Sequence, residues 1–471
     1  MSERVSLLKS KLSRSMLIQG VCFALCFFAF QLTEFTVNDQ AERLLGSNSV
    51  TAVYSVGILF TALGFLSFSV FRRIFRSERA RKATLCVIGA VAVISSILLL
   101  TSSNQAMFLA NAVLSLLSFG SISGCVYYNC SMTFFGNAYT GRVIGISMGC
   151  AVVLQFIVQN LLITSAAFII SITASVIALL YFVIKPAKDW MFENPLPYTS
   201  ENKTDSKSAL VLVVAVVIMS LVCALLDGVV MPAHASGQTS VSNFVRLVYA
   251  VSLVVAGFVA DAKQRKILPL FTVCFMFLST ISSAFFSNAV TYWIGTAFIY
   301  LYSGFYVIFL TVLFLDFAPK SHNPPLWAGM GRIARSLTVA AATLPTAMLY
   351  NRFGNIALVA GSCVLSVLLL LIMIKDISVA VVPEKEPERT NAADLSKEEA
   401  IKRYAEYYSF TPRETDVFIK LITTEDGVQE IADGLFISRR VLQRYIADIY
   451  EKTSTKTRIG LFQSYTGFHL K

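Results

Sequence analysis

The chain has 471 residues, 56% of them apolar and only 14% charged, with nine cysteines and a formal net charge of +11. A mean hydropathy of +0.67 is too high for an ordinary soluble protein, and it excludes a cytosolic enzyme and a secreted disulfide scaffold. The apolar residues come in runs of about twenty, each long enough at about 1.5 Å per residue to cross a hydrocarbon core of about 30 Å.

Twelve helical spans are expected in chain order, at 15–36, 48–71, 83–102, 106–130, 143–163, 165–184, 210–231, 241–262, 267–286, 290–315, 327–350 and 354–374. The even number puts both chain ends on one side. With the N-terminus inside, the inner segments hold 19 Lys and Arg, whereas the outer loops hold only Arg43 and Arg352. That asymmetry predicts a multi-pass protein of the bacterial inner membrane with both termini in the cytoplasm. The first span has eleven more behind it and no small-residue cleavage site, so it is not expected to be a removable signal peptide. The net charge is therefore mainly a topology signal, since the tail from Leu395 balances 12 basic against 11 acidic residues. All nine cysteines fall inside apolar segments and are expected to be small buried hydrophobes. The three histidines are scattered, and neither a metal site nor a cofactor is expected. No phosphate loop or nucleophile elbow is present, so the chain is not expected to be an enzyme.

The loop 185–208 divides the spans six and six. Between spans eight and nine stands Gly257-Phe-Val-Ala-Asp261-Ala-Lys-Gln-Arg265-Lys266. The two halves and this loop resemble the major facilitator superfamily, whose halves are related by an axis along the membrane normal. The resemblance implies a conformational-switch loop in which Gly257 permits close helix contact and Asp261, Arg265 and Lys266 form a charge cluster. The corresponding first-half loop, 70–82, keeps the basic residues and lacks the Gly and the Asp, which argues against active transport.

Ionisable side chains within spans cost about 2.5 to 3.5 kcal/mol each on insertion scales, so each is a functional candidate. Glu34 lies near the outer end of span one, Asp227 near that of span seven and Arg246 at a similar depth in span eight. With Gln155 and Gln159 of span five they could line an outward-facing pocket for a polar or charged small molecule. Alternatively, Asp227 pairs structurally with Arg246 and Glu34 simply reaches the interface. Arg332 and Arg335, near the inner end of span eleven, are expected to snorkel toward lipid head groups.

The tail begins with a polar stretch, 376–396, that reads as a flexible linker after a membrane domain at 1–375. In 397–471 a four-helix pattern follows. Thr411, Pro412 and Glu414 give a helix start with a capping box, helices are expected at 429–435 and 439–452 with Ser438 as the cap between them, and the last runs over 457–464. Phe410-Thr-Pro-Arg-Glu414, Glu430-Ile-Ala432, Ile437-Ser438 and Ile449-Tyr-Glu-Lys452 resemble the LuxR (NarL/FixJ) type of helix-turn-helix domain. The usual Thr, Lys and His of that family are here Val441, Gln443 and Tyr445. The resemblance implies major-groove contacts from Arg440, Gln443, Arg444 and Ala447, with Arg439, Lys456 and Arg458 as phosphate contacts or fold supports.

The fold expected is thus all-α, a twelve-helix membrane bundle followed by a LuxR-type DNA-binding domain at 397–471. The function expected is a one-component transcriptional regulator. The bundle would sense a small-molecule effector or membrane state, and the tail would bind double-stranded promoter DNA, as a homodimer through the C-terminal domain. The competing expectation is a major-facilitator-type transporter with a regulatory tail.

Overall fold

A computed structural model describes residues 14–75, 77–162, 164–184, 206–235, 245–286, 289–373, 401–424, 426–435, 437–455 and 457–469. The chain divides into two compact units, Met1–Val382 and Pro383–Lys471. The expected linker, 376–396, lies outside the described residues.

The first unit is all-helical among its described residues: α1 (Arg14–Leu45), α2 (Ser47–Ile74), α3 (Glu78–Thr101), α4 (Gln105–Phe134), α5 (Thr140–Leu161), α6 (Ser165–Ile184), α7 (Ser206–Ala235), α8 (Val245–Asp261), α9 (Ile267–Ser283), α10 (Ala289–Phe317) and α11 (Pro324–Ile372). Nine of these are long and apolar enough to cross a membrane, while α8 and α9 are apolar helices of 17 residues each. The last helix is bent rather than continuous. Gly354 has φ 67° and ψ −164°, a backbone state that glycine enters at little cost, and it separates two arms that coincide with the two spans expected there.

The two halves meet along two seams, α2 against α11 and α5 against α8, while α1 packs across α2, α4, α5 and α6. Without a strong hydrophobic drive inside lipid, such seams depend on close backbone approach. At α5 and α8 the approach is close enough that a Cβ on Gly257 would stand 2.5 Å from the carbonyl oxygen of Gly141. Many buried hydroxyls bond within their own helices, as where Thr33 donates to the Ala29 carbonyl at 2.8 Å and Ser96 to that of Ala92 at 2.7 Å.

The second unit packs helical residues 401–407 with α12 (Pro412–Thr423), α13 (Val428–Gly434), α14 (Arg439–Lys452) and α15 (Arg458–His469). Val417, Phe418, Ile431, Leu442, Ile449 and Leu461 make its core. Tyr404, from the segment just before the motif, is fully buried and stacks on Phe418 with ring centroids 5.1 Å apart. The Thr411–Glu414 capping box forms, and Lys452 at the far end of α14 reaches Glu414 at 2.7 Å. Arg458 donates to the carbonyls of Leu421 and Asp426, each at 2.7 Å, and so closes the end of α12.

Partial burial pushes the Glu414 carboxyl up, but its bonds with Lys452 and with Thr411 outweigh this and hold it below the usual carboxylate value. A carboxyl lowered on folding stabilises the folded state above its unfolded value, and that stabilisation is lost as pH falls through the folded value. Glu414→Gln in segment 383–471 should cost about 1–2 kcal/mol at neutral pH, as expected for losing a cap and a charge-assisted bond. Urea unfolding at several pH values checks this, and the gap between the two proteins should close in acid.

Candidate functional site

Helices α1, α2 and α5 of the first half and α7, α8, α10 and α11 of the second surround a cavity of about 450 Å³. That is within the range that holds a small ligand. Four side chains expected to meet a ligand, Glu34, Gln155, Asp227 and Arg246, line it. Gln159, expected with them, is not among the lining residues and instead accepts a hydrogen bond from the Arg246 guanidinium. Gln155 donates to the Gln31 carbonyl at 3.2 Å and so ties α5 to α1.

The structural pairing of Asp227 with Arg246 does not form. Among the described residues, neither Asp227 nor Glu34 lies within 4.0 Å of a basic group in an ion pair. Asp227 receives only a long thiol contact, 3.9 Å, from Cys223 one turn earlier.

The basic residues of α11 are the site's unexpected part. Lipid-facing snorkelling is not what they do: Arg332 is buried, donates to the Tyr127 hydroxyl at 2.8 Å and stacks over the Phe27 ring at 5.2 Å. Arg335 lines the cavity, and its Nε is buried without a hydrogen-bond partner among the described residues. It lies eleven residues into α11, about 16 Å along the axis. Of the charges acting on Glu34 and on Asp227, that of Arg335 is the largest. The sequence signal here is the small residues of α11: Gly329 lets it press against α2 and Gly331 against α10, so this stretch is enclosed by neighbouring helices rather than by lipid.

At the opposite end of the bundle, the loop after α8 is folded onto the other half. Asp261 accepts the backbone N–H groups of Gly141 at 2.7 Å and Arg142 at 2.8 Å, at the start of α5. Arg265, at φ 72°, pairs with Asp261 and with Asp316 of α10, the latter at 2.8 Å. Gly257 sits in the α5 contact already described, and Lys266 is exposed. The first-half loop is built differently: Arg81 donates to the carbonyls of Phe75 at 2.6 Å and Arg72 at 3.0 Å, and Arg72 lies over the Tyr128 ring at 4.5 Å. Among the described residues, no cluster of three or more His, Cys, Asp or Glu side chains is placed to hold a metal ion.

No protein-family model matches this chain and no curated protein is significantly similar to it. Solved structures do match. The human organic anion transporter MFSD10 (TETRAN) aligns with a TM-score of 0.54 at 14% identity, over 76% of this chain and 98% of that one. A variant of the E. coli fucose:proton symporter FucP aligns with a TM-score of 0.52 at 13% identity, over 78% and 98%. The proton:xylose symporter XylE, a major facilitator superfamily protein bound to 6-bromo-6-deoxy-D-glucose, aligns at 0.53 and 10%, over 77% and 95%. The chain shares their fold. It is a multi-pass membrane protein.

These matches overturn the regulator expectation. The structures found are transporters, and nothing found supports a fused LuxR-type helix-turn-helix, promoter DNA as a partner, or the dimer expected with it. The motif positions that carried the resemblance have a local explanation. Ile431, Ala432, Leu442 and Ile449 are core, Glu414 is capped and paired, and Arg458 is spent on backbone carbonyls rather than on phosphate. Arg439, Arg440, Gln443, Arg444 and Ala447 are exposed, the solvated face that any such helix presents, and Lys456 lies outside the described residues.

Asp261→Ala should release two α5 amides at once. Backbone hydrogen exchange at Gly141 and Arg142 is expected to accelerate by about tenfold or more, as for the loss of charge-assisted bonds. Hydrogen–deuterium exchange mass spectrometry of the peptide spanning 137–146, in protein that still elutes as wild type, measures it.

Proposed function

We propose that this chain is a membrane transporter that moves a small polar solute by alternating access between its two six-helix halves. The observation that carries the proposal is the cavity itself: about 450 Å³, walled by helices of both halves, with ionisable side chains from each. A polar group within a bilayer is costly, and such groups mark substrate pathways. The similar structures are transporters in their own right, for organic anions, fucose with protons and xylose with protons.

In this proposal Glu34, Gln155, Asp227, Arg246 and Arg335 contact the solute, and Gln159 holds Arg246 in place. Rocking of the halves along α2–α11 and α5–α8 exposes the cavity alternately, with the Asp261–Arg265 cluster as the latch at one end. The 19 to 2 distribution of Lys and Arg supports an orientation with that latch on the cytoplasmic side, in which the cavity opens outward. No bond is made or broken in the transported solute.

Uptake by vesicles containing the purified protein tests the proposal, with a panel of labelled sugars, organic anions and amino acids. At least one solute should enter faster than in empty vesicles, and Arg335→Ala or Asp227→Asn should cut that rate by about tenfold or more, as expected from removing a charged hydrogen-bond partner. Absence of protein-dependent flux across the whole panel overturns it.

A further inference from the structure

Resting on the proposed transport function, we infer that the cavity recognises a small zwitterion, whose acid group docks on Arg335 and whose cationic group lies between Glu34 and Asp227. The inference comes from which charges are already engaged and which are not. Among the described residues, four formal charges line the space, two carboxylates and two guanidinium groups, so their sum is zero. Arg246 is engaged by Gln159, while Arg332, which lines a neighbouring pocket, donates its Nε to Tyr127 and keeps a buried Nη2 without a partner among the described residues. Arg335 lines the same cavity as the two carboxylates and its Nε is buried without a hydrogen-bond partner, yet no ion pair joins it to either among the described residues.

Opposite charges that line one cavity without touching leave part of their desolvation cost uncompensated, and a ligand that bridges them would offset it. A simple anion would satisfy Arg335 and leave two carboxylates against it, and a simple cation would do the reverse. A zwitterion satisfies both poles and keeps the cavity's charge at zero. Arginine's planar fork suits a carboxylate, which it can grip with two parallel bonds. The rest of the wall suits a cationic group: Tyr54, Tyr249, Tyr300 and Phe35 present aromatic rings, whose faces attract cations. The two acids also come from opposite halves, Glu34 from α1 and Asp227 from α7, so one bound cation touches both moving parts.

The experiment uses the full-length protein in nanodiscs and reads ligand-induced thermal stabilisation. Probes are the twenty α-amino acids, glycine betaine, carnitine and the dipeptide Ala-Ala, with fucose and benzoate as a neutral and an anionic reference. The best zwitterion is then compared with its deaminated acid and its decarboxylated amine. The expected result is stabilisation by a zwitterion, with both truncated forms weaker by about tenfold or more. Arg335→Gln should abolish the response to the zwitterion, while Arg335→Lys, which keeps the charge, should restore part of it. Glu34→Gln and Asp227→Asn should narrow the gap between zwitterion and deaminated acid, a change of preference that misfolding would not produce.

Equal binding of the deaminated acid or the amine overturns the inference. So does a response to fucose or benzoate alone, although vesicle uptake of that compound would leave the transport proposal standing. No stabilisation by any zwitterion also overturns it, and the vesicle panel then decides the transport proposal separately.

Discussion

Arg332 and Arg335 sit three residues apart in α11, well inside an apolar bundle, where an uncompensated charge costs several kcal/mol. The packing around Arg332 meets part of that cost. Tyr127 of α4 and the Phe27 ring of α1 receive Arg332, so one side chain of the second half is held by two helices of the first. Once Arg332 is tied down, α11 has a fixed rotation about its axis, and Arg335, one turn on, must face the space between the halves. The cavity follows from this, because Glu34 and Asp227 stand where they feel Arg335 without closing on it. A closed ion pair there would fill the space and cement the halves together.

The same logic separates the cavity from the other end of the bundle, where charges do close. Asp261 is engaged by two backbone amides and by Arg265, which also pairs with Asp316. An acid aimed at the first turn of a helix meets unsatisfied N–H groups and the positive end of the helix dipole together. It therefore makes several bonds from a single position, and breaking them requires α5 and α8 to part. Charge is thus engaged at this end of the bundle, whereas Glu34 and Asp227 at the cavity stand in no ion pair among the described residues.

Much of this was legible in the sequence, for reasons that can be traced to particular residues. The helices announce themselves because a hydrocarbon core demands about twenty apolar residues per crossing. Glu34, Asp227, Arg246 and Gln155 stood out because polar side chains in such runs are expensive. Arg335 was misjudged because depth was measured from an expected span start at Trp327, and the distance to a helix end says nothing about which face a side chain occupies. The small residues beside it held that information. The tail misled in the opposite way. Its spacing of Thr411, Glu414, Ile431, Leu442 and Ile449 is what capping and core packing of a small helical unit require, so the spacing reports on folding and leaves the partner undetermined.

The two halves are not equivalent in how they hold the closed end, and the difference has a mechanical consequence. The second-half loop reaches across to α5, so its bonds resist separation of the halves directly. In the first-half loop the acid is Glu78, which pairs with Lys82 on its own helix, while Arg81 bonds to carbonyls at the end of α2. Those contacts stiffen the turn between α2 and α3 without bridging to the second half. On the α5–α8 seam Gly141, Gly145 and Gly257 also bring the backbones nearly into contact. Close packing of this kind is lost steeply with distance, because dispersion and carbonyl contacts fall off within an ångström or so. A seam that combines such packing with a buried charge cluster opens as one event rather than by gradual loosening. Glu34 stands on a first-half helix and Asp227 and Arg335 on second-half helices, so under the proposed function a ligand that bridges them would join the same two halves that this seam joins.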